Sequence, residues 1–178
     1  MTQGFAQGTW NEAEALVGQV IGRIDGPDAV AATDFRRKLE VLAVDVPIHT
    51  DEAAAREHGY RTVVSPVSMT RVWAIPSYWE PGRPRPGGAP LSVMFASANV
   101  PGEGDTMLAT HIRCEHFEPL YPGDRVSSVA VLKSVTRKTT RVGAGAFLVI
   151  ETTFSNQRGE VVTVETSTVF RFQRGEGA

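Results

Sequence analysis

The sequence predicts an α+β fold in which helices come first and an antiparallel sheet follows. Before Pro76, apolar residues recur at helical spacing, as in Phe35, Leu39 and Leu42. From Leu91 onward the period changes to two, most clearly at 161–172. Because the strands are consecutive and do not alternate with helices, we expect an antiparallel meander. One sheet curled around one buried helix, at 66–75, is the economical arrangement.

Three helices are predicted from their boundary residues. The first covers 34–44, with Thr33-Asp34 at its start. Thr50 is predicted to cap the second, which Gly59 ends. For the third helix, Ser65 is the predicted N-cap and Pro66 occupies the favoured first position.

The strands are predicted from alternating apolar residues and from turn residues between them. The segment 16–24 fits either a strand or a short helix, and 25–28 is predicted as a turn. The five strands expected after the helices are 92–98, 107–117, 125–136, 146–155 and 161–172.

Length and composition indicate a globular chain of ordinary type. Its 178 residues suit a flexible N-terminus at 1–10, one domain at 11–173 with a Pro/Gly-rich excursion at 76–90, and a tail at 174–178. The formal net charge of −2 gives no global field that attracts nucleic acid or an acidic membrane. No targeting pattern or long apolar run is present, so we expect a cytoplasmic protein.

Metal and thiol chemistry are not expected. The single cysteine, Cys114, excludes an internal disulfide and thiolate zinc cages. No spacing of His111, His116 and Cys114 brings three good ligands together, and we expect Cys114 to be a small buried residue. No metal or redox cofactor is implied.

Two titratable side chains, Asp45 and His49, lie close together just upstream of a helix start. Such a pair can serve as general acid and base when its pKa values bracket neutrality. The helix start at Ser65, Val67 and Ser68 offers backbone N–H groups that could stabilise an oxyanion. The structural alternatives are that His49 packs at a helix end, Asp45 forms a turn and Ser65 only caps.

The excursion at 76–90 is long for a loop inside a domain, which is typical of functional lids and partner arms. A substrate lid with phosphate contacts would use the aromatic and basic residues Trp73, Tyr78, Trp79, Arg83 and Arg85. An arm that packs on a second subunit explains the same composition equally well.

Several segments together resemble the MaoC-like and FAS1-like dehydratase family, in its N-terminal MaoC-type branch. Pro47-Ile48-His49 followed by Asp51-Glu52-Ala53-Ala54 is similar to the hydratase motif. Leu120-Tyr121-Pro122-Gly123-Asp124 is similar to the motif that begins the sheet. The remaining matches are Gly59-Tyr60, Val64-Ser65-Pro66, 107–110, 117–120 and 138–143.

The resemblance implies a hot-dog fold, dimers, and hydration of a 2-enoyl thioester or dehydration of a 3-hydroxyacyl thioester carried by coenzyme A or a carrier protein. The family histidine falls on His49 and its proline on Pro47. The family aspartate and asparagine fall on Val44 and Val46, so Asp45 would act as a partner shifted by one position.

Three functions remain open on these grounds. The first is a lyase in which His49 and Asp45 add or remove water. The second is a non-catalytic subunit of a heterodimeric MaoC-type dehydratase, which Val44 and Val46 would fit. The third is a hot-dog thioesterase or another acyl-thioester lyase, for which Glu40, Glu52 and Glu57 supply carboxylates outside any recognisable motif.

Overall fold

A computed structural model of the protein describes residues 4–77, 79–84 and 95–174. Four short helices precede the last four strands of the described chain: α1 (Trp10–Ala15), α2 (Ala32–Leu42), α3 (Glu52–Glu57) and α4 (Thr70–Trp73). The strands are β1 (Val20–Ala29), β2 (Thr106–His116), β3 (Arg125–Thr140), β4 (Gly143–Asn156) and β5 (Val161–Arg174). Three short 3₁₀ turns cover Pro47–His49, Val67–Met69 and Ala96–Asn99. The α+β class predicted from the periodicity is confirmed.

The five strands form one antiparallel sheet in the order β1-β3-β4-β5-β2. The strands predicted at 107–117, 125–136, 146–155 and 161–172 are confirmed, and β3 continues four residues beyond its predicted end, to Thr140. The hairpin between β4 and β5 turns at Gly159, whose φ of +79° is easily reached only without a Cβ.

Two predicted boundaries in the strands are wrong. The strand predicted at 92–98 is a 3₁₀ turn where it is described, because Ala96, Ser97 and Asn99 have low strand propensity. The turn predicted at 25–28 belongs to β1, which pairs with β3 up to Ala29 and has an irregular register there. Pro27 is tolerated because β1 is an edge strand.

Two helix starts also differ from prediction. Helix α2 begins at Ala32 without a side-chain cap, so Thr33 lies inside it. Helix α3 is capped by Asp51, whose carboxylate accepts from the N–H groups of Ala53 and Ala54. Asp51 displaces Thr50 because its carboxylate is placed to accept both bonds and complements the helix dipole.

The third helix is much shorter than the predicted 66–75. A 3₁₀ turn at Val67–Met69 leads into a single α-turn, α4, and no side chain caps either. Helix α4 ends at Trp73, and this end lies directly against β1, since a Cβ on Gly26 would lie 1.9 Å from the carbonyl oxygen of Trp73. The buried helix at the centre of the sheet therefore consists of about one 3₁₀ turn followed by about one α-helical turn.

The covered face of the sheet carries two separate cores. One core contains Phe35 and Leu39 of α2 and Trp73 of α4, packed on Val126 and Phe154 of the sheet. The other core lies toward the opposite ends of the strands, where α1 covers the sheet through Trp10 and Ala13, buried with Leu132, Leu148 and Val169. The middle part of this sheet face separates the two cores.

The stretch 1–10, expected to be flexible, lies partly outside the described residues. From Ala6 onward it is attached, because the Ala6 N–H donates to the Ala98 carbonyl and Gln7 bridges Gly102. Trp10 is buried and begins α1, whose cap is a reciprocal Thr9–Glu12 capping box. Among the described helices, none has the length and apolar character needed to span a membrane.

Candidate functional site

His49 ends the 3₁₀ turn Pro47–His49 and is half-buried. Its Nδ1 lies 2.8 Å from the carbonyl oxygen of Val64. The Val64 N–H in turn donates to the Ile48 carbonyl at 3.2 Å. Pro47 restricts the backbone at the start of the turn, and the two hydrogen bonds attach the segment that carries His49 to Val64.

The contact with Val64 decides the tautomer of His49. A carbonyl oxygen only accepts, so Nδ1 carries the hydrogen and donates it. In the neutral ring Nε2 then holds the lone pair, and it makes no hydrogen bond to any residue that the structure describes. Nε2 is therefore the ring nitrogen of His49 that can accept a proton.

His49 lines a cavity of about 430 Å³, a volume that includes space open to solvent. The walls come from segments far apart in the chain. They are Ile48, His49, Tyr60, Val64, Ser65, Val67, Thr70, Glu118, Pro119, Leu120, Val162 and Thr163. The apolar walls and the few polar groups fit a binding site for a small organic group.

The predicted oxyanion residues lie on this wall, with altered roles. Ser65 and Val67 line the cavity, while Val67 and Ser68 line an adjoining one that also contains His49. The N–H groups of Val67 and Ser68 have no acceptor in the described part of the chain, because they begin the 3₁₀ turn. They are available to a ligand oxygen.

Ser65 does not cap this turn. Its Oγ instead accepts from the indole N–H of Trp73 at 3.0 Å, and its own N–H donates to the Leu120 carbonyl. Both side chains are buried. Ser65 therefore joins the turn to the core and to the segment that precedes β3.

The structure does not place Asp45 on a cavity wall together with His49. Asp45 is exposed, and it is absent from the walls of the three cavities that His49 lines. It makes no hydrogen bond or ion pair to residues within the described ranges. Glu118, which is also exposed, is the acidic residue that lines the cavity of about 430 Å³ together with His49.

Sequence reasoning missed a polar group on the opposite wall. Thr163 of β5 accepts from or donates to His116 Nδ1 at 2.9 Å, and its hydroxyl lies 3.5 Å from that of Thr70. Thr70 donates to the Val67 carbonyl at 2.9 Å.

Sequence reasoning also missed Glu118. It lies in the segment 117–120, whose match to the family was the one signal that could have found it.

The residues predicted for a lid lie in different environments. Trp73 is buried in the core and is not part of a lid. Trp79 is exposed, and its indole N–H donates to the Arg83 carbonyl at 2.7 Å. The Arg83 side chain pairs with Glu80 at 3.2 Å. Tyr78 and Arg85 lie outside the described residues.

Metal and thiol sites receive no support from the described residues, among which no cluster of three or more metal-ligating side chains occurs. Cys114 is exposed, contrary to prediction, because β2 is an uncovered edge strand. Partial burial, and then the charge of Glu165, raise the pKa of the Cys114 thiol. A raised pKa disfavours the thiolate and hence a nucleophilic role.

Comparisons with known proteins agree with the fold and with the motifs. Residues 15–165 match the model of the family described as "FAS1-like, dehydratase domain region". The chain is 32% identical, over 90% of its own length, to a "Probable enoyl-CoA hydratase alpha subunit" of Thermomonospora curvata, of which it covers 50%. It is 34% identical over 114 residues to a "3-oxo-4,17-pregnadiene-20-carboxyl-CoA hydratase alpha subunit" of Mycobacterium tuberculosis, covering 34% of that protein. The chain thus spans half or less of the curated relatives it matches.

Solved structures show the same architecture. The "ChsH1-ChsH2 complex from Mycobacterium tuberculosis" contains a chain with a TM-score of 0.71 and 25% identity, over 94% of this chain and 93% of that one. A protein described as "MaoC-like dehydratase" gives 0.62 and 26%, over 90% of this chain and 43% of that one. The hot-dog fold implied by the sequence motifs is confirmed. The five-stranded sheet, the ordered motifs and the match over 15–165 lead to one conclusion: this chain belongs to the FAS1-like dehydratase-region family of MaoC-like hot-dog proteins.

Proposed function

We propose that this chain binds an acyl thioester and takes part in reversible hydration of a 2-enoyl group or dehydration of a 3-hydroxyacyl group. The observation that carries the proposal is the hydrogen bond from His49 Nδ1 to Val64, which leaves Nε2 without a partner among the described residues, on a residue that lines one cavity with Val67 and Ser68. The names of the relatives, both hydratase alpha subunits, support the reaction class.

The chemistry follows from these positions. In dehydration, Nε2 of His49 removes the proton next to the thioester carbonyl. The carbonyl oxygen gains negative charge, which the two backbone N–H groups stabilise; loss of one such donor costs about 2.7–4 kcal/mol in other enzymes. An acid must then protonate the departing hydroxyl, and in hydration the roles reverse.

Two carboxylates compete for the role of acid. Asp45 is the partner predicted from the sequence, whereas Glu118 is the one on the cavity wall with His49. We propose Glu118, because a proton donor must come within hydrogen-bond reach of the substrate. Loss of activity in Asp45→Asn with full activity in Glu118→Gln would reverse this assignment.

The test uses a matched pair of histidines. His58 also places Nδ1 2.8 Å from a backbone carbonyl, that of Ala54, but on an exposed helix end. We expect His49→Ala to lower hydration of crotonyl-coenzyme A at least about 10²-fold, the usual contribution of a general base. His58→Ala should leave the rate unchanged. His49→Asn, which can retain a donor to Val64, separates loss of the base from loss of local structure.

A second candidate function is that of the non-catalytic subunit in a heterodimeric dehydratase. It is favoured by the exposed position of Asp45 and by the two relatives named as alpha subunits. A purified chain that is inactive alone but active with a second MaoC-like chain, and is unaffected by His49→Ala in that complex, would establish it.

A partner chain is part of the proposal in either case, as a homodimer or as a heterodimer with a MaoC-like subunit. Strand β2 pairs only with β5, so one edge of its eleven residues is unpaired within the described chain. Exposed apolar side chains lie along or next to it, at Leu108, Ile112 and Phe117. An open edge of this kind accepts a strand from another chain. A cytoplasmic location and the choice between coenzyme A and a carrier protein stay predictions.

A further inference from the structure

A second, larger cavity lies on the covered face of the sheet, between the two cores. It encloses about 840 Å³, including space open to solvent. Its floor is made of small residues on neighbouring strands, such as Gly22, Ala130 and Ser128. The opposite wall is the 3₁₀ turn Ala96–Asn99 with Phe95. The cavity exists because the helix over this face is only one turn long.

Hydroxyl groups line this cavity without partners. Ser97, Ser128 and Thr152 are only 5%, 6% and 7% exposed. Their hydroxyls form no hydrogen bond with any residue in the described ranges, and the same holds for Ser167 of β5. The register places them together: Thr152 faces Ala130 across β3–β4, and Ile150 faces Ser167 across β4–β5. Three adjacent strands and the opposite wall thus present hydroxyls to one space.

The charged residues at the cavity do not favour a charged ligand. Glu165 is buried beside Thr152 and pairs with Arg71 of α4, so the carboxylate is neutralised within the protein. Arg23, on the edge strand β1, is exposed. The buried polar groups that remain are neutral hydroxyls, which both donate and accept.

We infer that this cavity holds an acyl group that carries hydroxyl or keto oxygens, and not a plain hydrocarbon chain. Solvent still reaches these hydroxyl oxygens, since no fully buried side-chain polar atom among the described residues lacks a partner. A hydrocarbon ligand would displace that solvent and leave several hydroxyls unpaired, which is costly. An oxygenated ligand pairs with them while Gly22, Ala130 and Ile150 contact its carbon skeleton. The inference rests on the proposed function only in taking the ligand to be an acyl thioester.

The test measures binding and not turnover. Decanoyl-coenzyme A is compared with its 6-, 8- and 10-hydroxy derivatives by titration calorimetry on the purified chain. These saturated thioesters have neither a double bond nor a 3-hydroxyl, so His49 cannot turn them over. We expect at least one hydroxylated compound to bind about 2–10-fold more tightly than decanoyl-coenzyme A, the effect of one net hydrogen bond.

Thr152→Val removes a cavity hydroxyl at constant shape and should abolish that preference. Thr153→Val is the matched control, since Thr153 is the next residue of β4 and points to the other face. Equal affinity for all four compounds, or a preference that survives Thr152→Val, overturns the inference and leaves the proposed function intact. If none of the four binds, the inference fails, whereas the proposed function is decided separately by the His49 and His58 variants.

Discussion

The indole N–H of Trp73 donates to the hydroxyl of Ser65 across eight residues, at 3.0 Å, and both side chains are buried. This bond fixes the 3₁₀ turn between them, whose N–H groups form the proposed oxyanion site. It also separates two roles for Ser65 that the sequence alone does not distinguish, a helix cap and an acceptor for a buried donor.

Substitution of Ser65 tests which role holds. Ser65→Ala leaves the Trp73 N–H without its acceptor and should lower the free energy of unfolding by about 1–3 kcal/mol. Ser65→Asp would preserve a cap but introduces a charge into a buried position, so we expect it to be more destabilising than Ser65→Ala. Urea unfolding of both variants measures this, and an Asp variant as stable as the native chain would favour the cap.

Gly26 allows β1 to cross the end of α4. A Cβ there would lie 1.9 Å from the Trp73 carbonyl oxygen and 2.7 Å from that of Val126, both backbone atoms. We expect Gly26→Ala to cost about 1–3 kcal/mol of unfolding free energy through forced backbone movement.

Gly22→Ala on the same strand is the control, because its Cβ would meet only side-chain atoms, the Cβ of Ala96 at 3.3 Å and that of Ala130 at 3.9 Å. Thermal unfolding of the two variants should show the larger decrease for Gly26. Equal decreases would mean that the crossing of β1 and α4 does not limit the helix.

Arg171 is fully buried and has no carboxylate partner among the described residues. Its guanidinium donates to the carbonyls of Ala6, Val100, Gly102 and Gly104, at 2.6–2.9 Å. Burial lowers the pKa of Arg171, but arginine stays charged at any physiological pH.

Replacement of this arginine should be severe, since the four carbonyls lose their donor together. We expect Arg171→Met to cost at least about 3 kcal/mol in guanidinium unfolding. Arg125→Met is the control: Arg125 donates to one carbonyl, that of Pro27, at the surface, and should cost less than about 1 kcal/mol. Similar losses of unfolding free energy in the two variants would show that the four hydrogen bonds from Arg171 to the carbonyls do not stabilise the fold.

Asp124 gives the fold an acid-dependent component. The carboxylate is 2% exposed, and that burial acts to raise its pKa, but hydrogen bonds from the Tyr121 N–H, Gln157 and Arg158 outweigh it and lower the pKa below the ordinary 3.8. A lowered folded-state pKa stabilises the protein above the ordinary value, and that stability is lost as pH falls through the folded value.

We therefore expect the native chain to lose stability below about pH 4 more steeply than Asp124→Asn, which should already be less stable by about 1–3 kcal/mol at pH 7. Urea unfolding at pH 7, 4 and 3 measures both slopes. Asp28→Asn, at an exposed position of β1, serves as control. Parallel curves for the native chain and Asp124→Asn would contradict the assignment.

The sequence by itself determined strands β2 to β5, the approximate positions of helices α2 to α4, and the family. Alternation along β2 to β5 is a local property, and so are the glycine after α3 and the Pro47–His49 motif, which is why they could be recognised without coordinates. The hydratase motif also singled out His49, which the structure places on a cavity wall.

Only the tertiary structure decided what surrounds His49. Glu118, which lines the same cavity, lies 69 positions away in the chain, and Ser65 became an acceptor for Trp73 because the core brings that indole to it. The close approach of Gly26 in β1 to the carbonyl end of α4 likewise exists only in the folded chain. Periodicity reports which face of an element is apolar, whereas these contacts depend on how separate elements pack, which the pattern of any one segment does not contain.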